Sequence, residues 1–139
     1  MKPNCTVEEL SHTAEIGVRV RAETPAQLFG CVAEAMFQMM GADMNSRAPN
    51  HLHTVNLDAY DIESLLVDWL SELLYLHETT NQIFTDCEVT DWTENSLTAT
   101  VSGRLPKEPP IMHVKAITYH ELQIKAADGR WLAQVYFDI

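Results

Sequence analysis

Positive charge is scarce in this chain. Nine Lys and Arg stand against twenty Asp and Glu, a formal net charge of -11 over 139 residues. Phosphate backbones repel such a surface and no basic cluster offsets it, which argues against direct nucleic-acid binding and leaves any RNA contact to a partner. Long apolar runs are missing too. Nothing approaches the roughly 20 residues of a membrane span, so no membrane association is expected. The opening MKPNCTVEEL has no basic flank followed by an apolar stretch; no secretory signal is read there, and the cytoplasm is the expected location. Cysteine is limited to Cys5, Cys31 and Cys87, without CxxC or Cys/His metal spacing. An odd count in that pattern speaks for buried or half-buried thiols rather than a disulfide framework or zinc knuckle. P-loop, nucleophile-elbow and HExxH motifs are all lacking, against an enzyme in its own right.

What is present reads as one domain with no repeat, low-complexity tract or linker. "AETPAQLFGCVAEAMFQMMGA" predicts a helix over Pro25 to Met40, with Thr24 as N-cap, Pro25 at the first position and Gly41 as the stop. A second helix starts near Asp61, carrying a wide apolar stripe through Leu65, Leu66, Trp69, Leu70, Leu73 and Leu74. Elsewhere the period is two. Ile16, Val18 and Val20 alternate with polar neighbours, as do Thr54 to Leu57, Ile83 to Thr93, Leu97 to Gly103, Ala116 to Ala126 and Trp131 to Ile139. Asp128-Gly129 joins the last two as a hairpin turn. Five or six strands without a helix between each pair imply an α+β single domain, a mixed, largely antiparallel sheet packed with two main helices. Arg104 to His113, with three prolines, reads as an exposed, ordered loop.

Polar groups gather beside strands in three places: His12 with Glu15, the stretch His113 to His120, and the final Asp138-Ile139. Two adjoining carboxylates at the chain end must be solvated, partly protonated or neutralised by a cation. Glu15 added to them makes a hard, all-oxygen set suited to Mg²⁺, Mn²⁺ or Ca²⁺ rather than zinc. On residues alone the plainer alternatives stand beside this: an exposed carboxylate at a strand start, a solvated chain end, and a capping His12.

"SHTAEIGVRV", "LLVDWLSELLYL", "VKAITYHEL" and the closing "VYFDI", in that order and separation, resemble the archease family. The resemblance covers His12 to Ile139. It implies a non-catalytic protein cofactor of the tRNA-splicing RNA ligase, the Mn²⁺- and GTP-dependent enzyme that joins 3′-phosphate or 2′,3′-cyclic phosphate RNA ends to 5′-hydroxyl ends. Such a cofactor promotes guanylylation of the ligase histidine and multiple turnover. The resemblance also implies a divalent-cation site at Glu15, Asp138 and Ile139, the last through a backbone or terminal oxygen. The family usually has Asp where Glu15 stands, and the extra methylene bears on metal affinity or geometry. Lys115 and His12 are candidate contacts to partner or nucleotide. A general chaperone or binding module for RNA- or DNA-modifying enzymes is the alternative function.

Overall fold

The computed structural model describes residues 5–12 and 14–139. In chain order the elements are β1 (Thr6–His12), β2 (Glu15–Ala22), α1 (Pro25–Met39), β3 (His51–Asp58), α2 (Ile62–Thr80), β4 (Ile83–Thr93), β5 (Ser96–Arg104), β6 (Ala116–Ile117), β7 (Gln123–Ala127) and β8 (Arg130–Asp138). They form two sheets. One runs β1-β2-β8-β6, with β7 also on β8; the other runs β3-β5-β4. Every pairing is antiparallel.

Both helix starts follow their sequence signals. Thr24 Oγ1 accepts the Gln27 N–H at 3.2 Å, and Asp61 Oδ1 accepts the Ser64 N–H at 2.8 Å, so each helix begins where a side chain satisfies a free amide. Gly41, at φ 80°, ends the first, and Asn81, at φ 61°, ends the second. Asp128 and Gly129 both take positive φ, 53° and 75°, as the tight β7–β8 turn requires.

Helix α1 packs against β4 of one sheet and against β2 and β8 of the other. Every residue from Leu28 to Phe37 is buried as a result. Apolar Leu28, Val32, Met36 and Met39 at helical spacing read as one stripe, but a helix lying between two sheets is covered on both sides. Gly30 marks the closest approach, where an added Cβ would lie 2.5 Å from the Cys87 carbonyl oxygen. Glu34 is only 3 % exposed, and its Oε2 accepts the Cys87 N–H at 3.0 Å. That amide follows a register shift between Phe84 and Asp86, so the carboxylate occupies an irregularity of β4. Trp69 of α2 donates its indole N–H to the Phe29 carbonyl at 2.9 Å, joining the two helices.

The expected α+β fold with two main helices and antiparallel pairing is observed, its strands divided between two sheets rather than one. Two finer expectations are corrected. The predicted strand Ala116 to Ala126 is broken between β6 and β7, because Glu121 adopts φ 50° and the chain leaves the ladder. The cysteines are not all free thiols: Cys5 and Cys31 form a disulfide, while Cys87 is free and buried. This pairing goes with β1, a strand not read from the sequence; once β1 joins β2, Cys5 comes beside α1.

Candidate functional site

The first sheet aligns three distant parts of the chain in one row. His12 of β1 faces Glu15 of β2, Glu15 faces Asp138 of β8, and Asp138 faces Ala116 of β6. Directly opposed residues share a face with Cβ atoms about 4.5–5.5 Å apart, so Glu15 and Asp138 are cross-strand neighbours. Their face is opposite the one on which Val18, Val20, Val135 and Phe137 enter the core. The register thus sets Glu15 and Asp138, both named from the sequence, opposite each other.

The Glu15 side chain is 17 % exposed. Thr118 Oγ1 lies 3.3 Å from Glu15 Oε2 and 3.1 Å from the Tyr136 carbonyl oxygen, its single proton shared between them. His120 Nε2 stands 3.9 Å from Glu15 Oε1 and 3.9 Å from Glu121 Oε2. Among the described residues neither Glu15 nor Asp138 pairs with Lys or Arg. Opposed carboxylates without a permanent cation form a donor set that fits a hard divalent ion.

Ile139 lies one residue beyond β8 and is 39 % exposed, beside Asp138 rather than buried with Phe137. No three His, Cys, Asp or Glu side chains converge as a metal cluster among the described residues. Glu15 and Asp138 therefore need main-chain or other oxygens to complete a coordination shell. Lys115 is exposed, and its main-chain N–H donates to the Asp138 carbonyl at 2.8 Å, which fixes the lysine beside the row. His12 ends β1 opposite Glu15; its side chain lies outside the described residues.

The break between β6 and β7 shapes this site. The excursion from Thr118 to Leu122 crosses the outer face over Tyr136 and Gln134, which are 6 % and 4 % exposed. His120 and Tyr136 rings meet at 5.9 Å. Gln134 acts as the clasp: its Nε2 donates to the Glu121 carbonyl at 3.0 Å, and its Oε1 accepts from Arg19 Nη2 at 2.6 Å and Nε at 3.1 Å. Arg19 Nη1 reaches on to Glu8 at 3.2 Å. A buried amide satisfied on both ends holds its neighbours in one arrangement. Gly17 faces Tyr136, and an added Cβ there would stand 2.8 Å from the ring and from the Val135 carbonyl.

Thr118, Gln134 and Gly17 were not anticipated from the sequence. Gln134 carried a usable signal, as an amide set within the apolar "WLAQVYF". Thr118 follows Ala116 by two residues, and its N–H still donates to the Tyr136 carbonyl, so alternation along β6 puts it on the Glu15 face.

Comparison with known proteins gives a consistent picture. The family profile described as "Archease protein family (MTH1598/TM1083)" matches residues 8–139. "Protein archease" of Thermococcus gammatolerans is 39 % identical, over 95 % of this chain and 97 % of its own. Its counterpart in Methanopyrus kandleri is 31 % identical, over 95 % and 98 %. The solution structure of Methanobacterium thermoautotrophicum protein 1598 superposes with a TM-score of 0.72 at 26 % identity, covering 96 % of this chain and 98 % of that one. A Thermotoga maritima archease, described as a possible chaperone, shares the fold with a TM-score of 0.66 at 17 % identity, covering 95 % and 96 %.

Proposed function

Because the chain belongs to the archease family, we propose that it is a non-catalytic cytoplasmic cofactor of the Mn²⁺- and GTP-dependent tRNA-splicing RNA ligase. It promotes guanylylation of the ligase and multiple turnover in tRNA splicing or RNA repair. The observation that supports this most is the opposition of Glu15 and Asp138 on an outward face, with no Lys or Arg among the described residues neutralising either.

Glu15, Asp138 and an Ile139 oxygen would hold a divalent cation, Ca²⁺, Mg²⁺ or Mn²⁺. When bound, such an ion supplies positive charge that stabilises phosphate oxygens. The chain's own residues do the positioning. Thr118 and His120 restrain the Glu15 carboxylate from one side, and the Lys115 amide restrains the Asp138 backbone from another. Lys115, exposed next to the row, offers an ammonium group to a nucleotide phosphate or to the ligase. His12, opposite Glu15, is the second contact residue. The charge of -11 steers the protein toward the basic mouth of an RNA-binding enzyme.

Purified ligase at limiting Mn²⁺ and GTP tests the reading. The protein should accelerate guanylylation and convert single turnover to multiple turnover, and Glu15→Ala with Asp138→Ala should abolish the effect while leaving the fold intact. No stimulation by the intact protein would overturn the proposal. Stimulation unchanged in the double variant would instead support a chaperone that works without the metal site.

A further inference from the structure

Among the described residues strand β1 has a partner on one side only, and α1 lies over β2 and β8 rather than over β1. Its inner-face residues Val7 and Glu9, opposite Val20 and Val18, therefore overhang the helix instead of meeting it. Between them and the C-terminal half of α1 runs a groove of about 360 Å³ lined by Val7, Glu9, Val18, Ala35, Gln38 and Met39. Its floor is dry and apolar, with Val18 and Ala35 each 1 % exposed, whereas Val7 at the lip is 38 % exposed. Glu8 is engaged by Arg19 on the other face, but Glu9 has no ion pair among the described residues.

We propose that β1 and this groove dock an extended, basic segment of a partner protein, which adds as a strand on the free edge. An unpaired strand presents main-chain donors and acceptors at the ladder spacing, and alternate side chains of an added strand would fall on the groove side. One apolar residue enters between Val7 and Met39, and a Lys or Arg two positions along, on the same side of the added strand, meets Glu9. Charge decides the occupant. A second copy pairing antiparallel on β1 would bring two Glu8-Glu9 pairs together between chains of -11 each, so the edge rejects its own kind and selects a cationic strand. The docked strand would run to His12, at the end of the row that holds Glu15 and Asp138, although the docking itself does not depend on the function proposed above.

The test uses the full ¹⁵N-labelled chain and an acetylated, amidated heptapeptide with valine at its centre, lysine two positions to either side, and threonine at the other positions. Amide shifts should be confined to Thr6–Ser11 and to the α1 residues around Ala35 and Met39. Glu9→Lys, an exposed change, should weaken binding about two- to fivefold, as loss of an exposed charge pair predicts. A peptide of the same charge with proline at its central valine cannot extend the ladder and should leave β1 unperturbed. The proposal is overturned by absence of β1 shifts at millimolar peptide. Equal shifts with the proline peptide, or undiminished binding to the Glu9→Lys variant, would also overturn it.

Discussion

Gly30→Ala sets two physical effects of opposite sign against each other. In an isolated helix the change would stabilise by about 0.8–1 kcal/mol, because alanine loses less backbone entropy on becoming helical. Here the new methyl would lie 2.5 Å from the Cys87 carbonyl oxygen, and ordinary contact begins at 3.4 Å. A backbone oxygen within a paired strand cannot rotate away, so α1 must withdraw by about 0.9 Å from β4. That displacement stretches the Glu34 bond to the Cys87 N–H, 3.0 Å in the native packing, and a buried hydrogen bond to a charged group contributes about 1.5–3 kcal/mol. Overpacking alone costs about 1–3 kcal/mol. The two losses overlap, and after the helix gain the net expectation is destabilisation of about 2 kcal/mol. At about 2.1 cal/mol/K per residue, a chain of this length loses roughly 7 °C of Tm. Urea and thermal unfolding followed by tryptophan fluorescence, with the disulfide kept oxidised, provide the measurement. Glu34→Gln combined with Gly30→Ala should show less than additive loss, since both act on the same contact. A Gly30→Ala protein as stable as the parent, or more so, would refute the idea that α1 is held at its distance by a missing side chain.

Two further predictions address the site and the pH response. Gln134→Leu, which removes the clasp on the 118–122 excursion, should raise hydrogen exchange at Glu121 and Leu122 and weaken divalent-cation binding measured by calorimetry; unchanged exchange there would mean the amide holds nothing. The Asp61 carboxyl is held below its ordinary value by the Ser64 N–H and, secondarily, the Ser64 hydroxyl. Its contribution is therefore present above the unfolded pKa and disappears as pH falls through the lower folded value. Asp61→Ala should lower Tm at pH 7, with the gap to the parent closing below about pH 4; a gap that persists at pH 2 would contradict the assignment.

Local signals were legible in the sequence wherever one residue does one local task. Thr24, Pro25, Gly41, Asp61 and Asp128-Gly129 each act within a few residues of themselves, and each appears in the role its chemistry suggests. Placement against distant neighbours was less legible. Glu34, within an otherwise helical pattern, gave no sign that it would be buried against a strand irregularity more than fifty residues away. The division into two sheets followed from α1 needing cover on both sides, which single-stripe periodicity does not encode. At the candidate site Glu15 and Asp138 were named through family resemblance, whereas the role of Gln134 depends on the excursion between β6 and β7. The Cys5–Cys31 pairing escaped for the same reason, since it rests on β1 finding β2.

The position of β8 bears on how the molecule is born. This strand lies between β2 and the β6–β7 edge, yet it follows every other element in the chain. The β1–β2 hairpin emerges first and then waits about 110 residues for the neighbour that completes its sheet. At about 5–20 residues per second of synthesis, that interval is roughly 6–22 s. Throughout it, the inner edge of β2 is open to any passing strand, sheltered on one face only once α1 has been made. Pairings of such long sequence separation are also slow to form after release. The row that carries Glu15 and Asp138 is therefore assembled only after β8 has been made.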